Sequence, residues 1–329
     1  MNPNIGRRPV MAGAAALALC CAATAGAQGR KRIRFAAVFS DQDLRAEAMR
    51  GFQSDMQGEF DIELHLNATL FRQGTEINAL QRGNLEMANL APQDISRQIP
   101  AWSVMASAYL FRDADHMRKV FASDIGRDFN RMAREQLNIQ VLGPLYFGTR
   151  HVNLRPRKRI ATPSDMAGIK LRMPPGETWQ FLGEALGASP TPVAFAELYT
   201  ALQTGTVDGQ DNPLPTSRTM RFHEVTTQFV LTSHVVAYDM LCMSARFWDG
   251  LTDTQRNAVQ AAVNKAIDSS TQRHLAQEQE MVAFFRGQGL EVYEPNVAAF
   301  RTEAQRRYLS STQSQSWPPG ILDRINAIR

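Results

Sequence analysis

Residues 162–213 read TPSDMAGIKLRMPPGETWQFLGEALGASPTPVAFAELYTALQTGTVDGQDNP, and this segment gives the clearest indication of the fold class. The predicted elements are a strand at 169–172, helices at 178–186 and 194–204, and a strand at 207–210 that leads into a loop at 212–213. Pro174 and Pro175 end the first strand because proline donates no ladder hydrogen bond. Gly187 and Gly205 close the two helices. Strands alternating with helices are typical of an α/β domain.

The first part of the chain repeats this alternation. The predicted strands are 33–39, 61–66 and 85–91, and the predicted helices are 44–56 and 75–82. Ser40 or Asp41 is expected to cap the first helix. A second stretch of the same kind begins with a strand at 140–142. The sequence therefore predicts two α/β units, each with a mostly parallel sheet.

A long helix is predicted from Thr252 to Gly287. Thr252 and Gln255 have the spacing of a capping box, and apolar residues recur at helical spacing before and after a polar middle, 269–280. About 35 residues at 1.5 Å each give a length of about 50 Å, which exceeds one domain. We therefore expect this helix to cross between two domains.

The first 27 residues have the composition of a secretory signal peptide. Arg7 and Arg8 precede an apolar run, 10–23, and the small residues of 25–27 follow. The run is shorter than the roughly 20 residues of a membrane span. We expect cleavage after Ala27 and a periplasmic location, with both the general secretory route and the twin-arginine route open.

The mature chain has little net charge. The whole chain carries +4, and removing the signal peptide, which holds Arg7 and Arg8 and no acid, leaves +2. No basic stripe is interleaved with aromatic residues, so nucleic-acid binding is not expected. Cys242 is the one cysteine after residue 27, so no internal disulfide is predicted.

Several segments match a known family in order and spacing. They are GTR at 148–150, TPSDMAGIKLRMP at 162–174, LGASPTP at 186–192, FAELY at 195–199 and ALQTGTVDGQDNP at 201–213. Together they closely resemble the DctP-type solute-binding proteins of TRAP transporters. The segment 108–113 and the long helix are similar as well, so the resemblance covers nearly the whole mature chain.

The resemblance implies an α/β fold of two lobes, the periplasmic-binding-protein or Venus-flytrap fold, with a long domain-spanning helix. The expected division is 1–27 signal peptide, 28–147 plus 238–277 lobe I, and 148–237 plus 278–329 lobe II, with the ligand in the cleft between them. It also implies a receptor that binds a small organic carboxylate, closes by a hinge motion and delivers the ligand to TRAP membrane subunits. We expect a monomer and no cofactor.

The expected site is an arginine clamp. A guanidinium pairs bidentately with a carboxylate, and open α/β sheets bind ligands at the carboxyl ends of their strands, where Arg172 lies. The resemblance implies that Arg172 holds the ligand carboxylate, that Arg150 and Asn212 support it, and that Phe195 packs against the ligand. Trp179 follows on a helix facing the same crevice, and for both aromatic residues a position in the core is the alternative.

The first lobe offers weaker signals. Its candidate polar contacts are Asn89 and Gln93, with Asp41 and Gln42 as further possibilities. Sialate binders of the family have a glutamate where this chain has Ala91 or a close neighbour, which argues against a sialate ligand. A dicarboxylate, a sugar acid, a short hydroxy or oxo acid and an aromatic acid all remain compatible with the clamp.

Other functions remain as alternatives. A receptor for another transporter or for a membrane sensor would share the fold. A secreted enzyme acting on a small acid would need a nucleophile or a metal site, and the sequence holds none of the usual catalytic motifs. The six histidines are scattered, so no catalytic residue and no metal ligand is predicted. His151, beside Arg150, is the histidine expected nearest the cleft.

Overall fold

The computed structural model describes residues 30–329, and the predicted signal peptide lies outside the described residues. The strands are β1 (Lys31–Ala36), β2 (Phe60–His65), β3 (Met87–Leu90), β4 (Ile139–Leu154), β5 (Lys170–Met173), β6 (Ser189–Pro192), β7 (Gly209–Pro213), β8 (Gln228–Ser244) and β9 (Glu291–Tyr293). The helices are α1 (Leu44–Met56), α2 (Glu76–Gln81), α3 (Pro92–Ser96), α4 (Ala114–Ala122), α5 (Asp124–Leu137), α6 (Glu177–Ala185), α7 (Leu198–Thr204), α8 (Leu214–Thr219), α9 (Ala245–Asp249), α10 (Asp253–Gly287), α11 (Val297–Leu309) and α12 (Ile321–Ala327).

The strands form one continuous sheet in the order β2-β1-β3-β8-β4-β7-β5-β6, with β9 beside β8. The outer pairs, β1 with β2 and β3 and β5 with β6 and β7, are parallel as predicted. The centre is antiparallel, because β4 and β8 pair with each other along nearly their whole length. These two strands run through both lobes. The predicted strand at 140–142 covers only the start of β4.

Separate groups of buried side chains form the cores of the two lobes. Phe35, Phe52 and Leu241 lie in the first-lobe core, whereas Leu171 and Phe300 lie in the second-lobe core. Further clusters complete each lobe. The sheet therefore passes through two cores, and the cleft lies between them.

Helix α10 spans the two lobes as predicted. Its bounds are Asp253–Gly287, and Thr252 and Gln255 form the expected capping box. Val263 packs in the first-lobe core, and Phe285 packs in a cluster with Phe229 of β8. None of the helices within 30–329 has the length and apolar character needed to cross a bilayer.

Three local predictions differ from the structure. The cap of α1 is Asp43, whose carboxylate accepts from the Arg45 amide at 2.9 Å, and not Ser40 or Asp41. Asn212 lies inside β7 and not in a loop. The end of the chain also packs differently: Ile325 of α12 lies in a first-lobe core cluster, and its carbonyl is 3.0 Å from Nε2 of His116.

Candidate ligand-binding site

A cavity lies between the lobes, and all seven predicted site residues line it. They are Arg172, Arg150, Asn212, Phe195 and Trp179 from the second lobe and Asn89 and Gln93 from the first. Each of the seven is less than a tenth exposed. Asp41 and Gln42, the further first-lobe candidates, are exposed and lie outside the cavity lining. Arg172 and Asn212 lie near the carboxyl ends of β5 and β7, as expected for a site in an open α/β sheet.

Arg172 is a buried cation without a carboxylate partner in the part of the chain that the structure describes. Strand β5 lies between β6 and β7, so Arg172 does not lie on an edge strand, and it is 1% exposed. Its Nε donates to the Val193 carbonyl at 2.8 Å, and Nη2 donates to Oε1 of Gln73 at 3.4 Å. It takes part in no ion pair among residues 30–329. Burial lowers the pKa of Arg172 to about 9, and the charge of Asp211 opposes this effect only in part.

Arg150, in contrast, already has an anionic partner. Its Nε donates to Oδ2 of Asp211 at 2.7 Å, and its guanidinium lies 5.1 Å from the ring centroid of Trp179. Although burial opposes ionisation, Arg150 and His234 hold the pKa of Asp211 well below its usual range. The pair is therefore a preformed ionic support beside Arg172.

The histidine connected to the site is His234, whose Nε2 is 3.0 Å from Oδ2 of Asp211. His151 was expected nearest the cleft, yet the cavity lining does not include it. Burial, with a smaller contribution from His234, lowers the pKa of His151 to about 3. His151 is thus a neutral buried side chain at neutral pH, and its Nδ1 accepts from the Ser233 amide at 3.2 Å.

Asn212, Phe195 and Trp179 complete the second-lobe side. Nδ2 of Asn212 donates to Oε1 of Gln210 at 2.6 Å. The ring centroid of Phe195 is 5.8 Å from the Arg172 guanidinium carbon, close enough for a weak cation–π contact. Both aromatic residues belong to core clusters and also line the cavity, so the two alternatives for them are not exclusive.

The first-lobe wall holds an ionic network that sequence reasoning missed. Arg45 donates from Nη2 to Oδ2 of Asp43 and from Nη1 to Oδ2 of Asp239, both at 2.8 Å. Asn89 donates to the same Asp239 oxygen at 2.8 Å, and the Arg45 guanidinium lies 4.0 Å from the ring centroid of Phe147. Asp239 interrupts a long apolar run, and a lone acid in such a run is the signal that could have revealed it.

A second missed group is acidic. Glu76 and Asp94 line the cavity, and each is about 95% buried. Burial raises the pKa of Glu76 to about 8, with repulsion from Asp94 adding to the effect. Burial also raises the pKa of Asp94 to about 7. These acids therefore tend to hold protons near neutral pH.

Contacts join the two walls across the cleft. Oε1 of Gln73 accepts from the Phe195 amide at 2.8 Å, and the Ser96 and Thr178 hydroxyls are 2.8 Å apart. The lobes are thus closed on each other. Among the described residues, no group of three or more histidine, cysteine or acidic side chains could hold a metal ion.

Known proteins resemble this chain in sequence and in fold. Residues 42–315 match the family model for bacterial extracellular solute-binding protein, family 7, DctP. The chain is similar to the sialic acid-binding periplasmic protein SiaP of Vibrio cholerae, with 36% identity over 77% of this chain and 78% of the relative. It is also similar to a TRAP periplasmic solute-binding protein of Roseobacter denitrificans, solved with bound 3-deoxy-D-manno-oct-2-ulosonic acid (KDO). That similarity has 42% identity and a TM-score of 0.90, covering 92% of this chain and 100% of the other. A second structure from Roseobacter denitrificans, with bound L-galactonate, is 25% identical with a TM-score of 0.81, covering 91% of this chain and 100% of the other.

Proposed function

We propose, from the premise that this chain belongs to bacterial extracellular solute-binding protein family 7, that Arg172 clamps the carboxylate of a sugar acid between the lobes. The chain is a solute receptor of a TRAP transporter and binds a small organic carboxylate. We propose in addition that the ligand is a sugar acid and that Arg172 is the residue that binds its carboxylate.

The observation that carries the proposal is the unpaired, buried guanidinium of Arg172. A buried charge is costly unless it has a partner. Arg150 has Asp211 and Arg45 has Asp43 and Asp239, so Arg172 is the cavity arginine whose charge is left for a ligand. A carboxylate can receive two parallel hydrogen bonds from it. We propose that Asn212, whose Nδ2 also donates to Gln210, donates a further hydrogen bond to the same carboxylate.

Similar proteins favour a sugar acid. The relative solved with KDO shares 42% identity with this chain, and the Vibrio cholerae relative is named for sialic acid. Both ligands are long, polyhydroxylated acids. Ala91 lies in the cavity lining. Because the family's sialate binders have a glutamate at Ala91 or a close neighbour, we propose KDO or a close analogue rather than sialate.

The mechanism we propose is hinge closure. The ligand docks on the second lobe, and first-lobe contacts then favour the closed state, because a ligand shifts such an equilibrium only by its differential affinity. We propose 30–147 with 238–277 as lobe I and 148–237 with 278–320 as lobe II. Residues 321–329 join lobe I because α12 packs there. The receptor would act as a periplasmic monomer, without catalysis, on TRAP membrane subunits.

A thermal-shift screen tests the ligand class. The mature protein would be mixed with KDO, L-galactonate, succinate and an uncharged sugar, each at several concentrations. KDO at 100 times its dissociation constant should add about 2.7 kcal/mol to the free energy of unfolding. Stabilisation by the uncharged sugar but by none of the acids would contradict the proposal.

A further inference from the structure

We infer that Glu278 of α10 is a positioning residue for hinge closure, because its side chain holds residues 146–149 of β4 in the geometry of the closed receptor. We call 146–149 the β4 crossover. Glu278 is not among the residues that line the ligand cavity, so it acts through the β4 crossover and not through contact with the ligand. The inference rests on the proposed function, because it concerns the closure that follows ligand docking.

The β4 crossover lies between the cores of the two lobes. Tyr146 packs in a first-lobe cluster, whereas Val152, further along β4, packs in the second-lobe core. Between them, the register of β4 with β8 shifts at Tyr146 to Gly148, and such irregularities bend a strand. Helix α10 makes the same passage, with Ile267 in the first-lobe core and Met281 in a second-lobe cluster.

Helix α10 presents a polar stripe to the β4 crossover. Ser270, His274 and Glu278 recur every four residues, so they share one face of the helix. Oγ of Ser270 donates to the Tyr146 carbonyl at 3.2 Å. The rings of His274 and Tyr146 meet edge to face, with their centroids 6.3 Å apart. This part of the polar middle of α10 therefore packs on the β4 crossover.

Glu278 contacts both sides of the β4 crossover. Its Oε2 accepts from the Tyr146 hydroxyl at 2.6 Å, and its Oε1 accepts from the Thr149 amide at 2.5 Å. A Cβ at Gly148 would lie 3.2 Å from the same Oε1, so the helix approaches the strand closely here. Because opening the hinge moves the two sides relative to each other, both hydrogen bonds are at full strength only in the closed geometry.

These contacts do not depend on the charge of Glu278. Burial raises the pKa of Glu278, and the hydrogen bonds from Tyr146 and Thr149 oppose that shift. A protonated carboxyl would still accept from the Thr149 amide and would donate to the Tyr146 oxygen, because a phenol hydroxyl can donate or accept. A glutamine side chain can do the same. Glutamine is therefore a conservative replacement at 278, whereas alanine removes both contacts.

The β4 crossover carries residues of the ligand cavity. Phe147 lines the cavity, and its ring centroid lies 4.0 Å from the guanidinium carbon of Arg45. Arg150, which follows Thr149, lines the cavity as well. By holding the backbone on both sides of Phe147, Glu278 sets the positions of cavity residues that it does not itself touch.

Titration calorimetry with KDO tests this inference in wild-type protein and in variants of Glu278. Glu278→Ala should weaken KDO binding by about tenfold, the effect of losing two hydrogen bonds of the closed state. Glu278→Gln should bind within about twofold of the wild type, because both contacts can re-form. Tyr146→Phe removes one contact only and should weaken binding by about threefold, which keeps the test informative if Glu278→Ala folds poorly. Glu280→Ala, at an exposed acid on the same helix, is the matched control and should bind as the wild type does.

A distance measurement separates a hinge role from a role in folding alone. Spin labels at Glu59→Cys and Glu184→Cys, exposed positions in the first and second lobe, would report the distance between the lobes by pulsed electron paramagnetic resonance. Cys242 is buried and should stay unlabelled. Without ligand, Glu278→Ala should give a broader distribution with a longer mean distance than the labelled wild type. A role in folding alone would lower the thermal midpoint and leave both the distances and the KDO affinity unchanged.

The outcomes distinguish this inference from the proposed function. Wild-type affinity in Glu278→Ala, or equal weakening by alanine and glutamine, would overturn the role of Glu278 and leave the Arg172 clamp in place. If the wild-type protein does not bind KDO, the proposed ligand fails, and the ligand-free distances alone decide the inference. Identical distance distributions for wild type and Glu278→Ala would then overturn it.

Discussion

At the scale of single residues, the three arginines of the cavity differ in their ion pairs. Arg45 and Arg150 have carboxylate partners, whereas Arg172 has none among residues 30–329. Arg172 and Arg150 could be found in the sequence because they lie in segments, 162–174 and 148–150, that match the family in order and spacing. The pairing of Arg45 with Asp239 could not be found in this way, since the two residues are 194 positions apart and only the fold brings them to 2.8 Å. Pairing of this kind depends on tertiary structure, which local sequence does not encode.

The buried ion pair of Arg150 with Asp211, beside Arg172, should contribute strongly to the free energy of unfolding. Asp211→Asn leaves the buried Arg150 cation without its carboxylate and should lower the free energy of unfolding by about 3–5 kcal/mol. Urea denaturation measures this change. Asp128→Asn, in the exposed pair with Arg131, is the control and should change it by less than about 1 kcal/mol. Equal effects of the two substitutions would show that the Asp211 pair is not structural.

The buried carboxyl of Glu76 gives the stability of the protein a pH dependence. Burial raises the pKa of Glu76 from 4.5 to about 8, so the folded chain keeps a proton that the unfolded chain loses at lower pH. The free energy of unfolding contributed by Glu76 is fully present below about pH 4.5 and is lost as the pH rises through about 8. Glu76→Gln should flatten this decline in ligand-free protein. Parallel curves for variant and wild type would contradict it; the charges of Asp94, Asp239 and Arg97 remain in both.

At the scale of elements, the long helix was predictable and the long strands were not. The capping box predicts where α10 begins, and apolar residues at helical spacing predict how far it extends. The full length of β4 was hidden because Gly143 and Gly148 resemble turn residues. In the structure these glycines lie where the β4–β8 register shifts, between 141 and 143 and between 146 and 148. A bulge and a turn use the same residue types, and only the partner strand distinguishes them.

Gly148 is one place where such a bulge needs glycine. Its φ is +121°, and a Cβ there would lie 2.6 Å from Cβ of Pro213, next to Asn212. Gly148→Ala should therefore lower the thermal midpoint by several degrees and weaken ligand binding, because β4 and β7 must separate. Gly287→Ala, at the end of α10 with open space around its Cβ, should be neutral or stabilising. Similar midpoints for both variants would argue that the β4 bulge is not constrained.

At the scale of the whole molecule, the structure is a closed receptor whose walls touch through Gln73 and through the Ser96–Thr178 contact. The sequence predicted two lobes and a bridging helix, but it could not predict this closed state, which depends on contacts between lobes. We expect the ligand-free protein to populate an open form. Small-angle X-ray scattering should show a smaller radius of gyration after KDO is added, and an unchanged radius would contradict hinge closure.

The measurement that tests the central claim most directly is calorimetric titration of KDO into wild-type protein, Arg172→Ala and Arg131→Ala. Arg131 is an exposed arginine on α5 and serves as the control. Removing the one unpaired cavity guanidinium should weaken binding by at least about 30-fold, because truncating a buried charge contact costs about 2 kcal/mol or more. Arg131→Ala should bind as the wild type does. An Arg172→Ala variant that binds KDO with wild-type affinity would contradict the account.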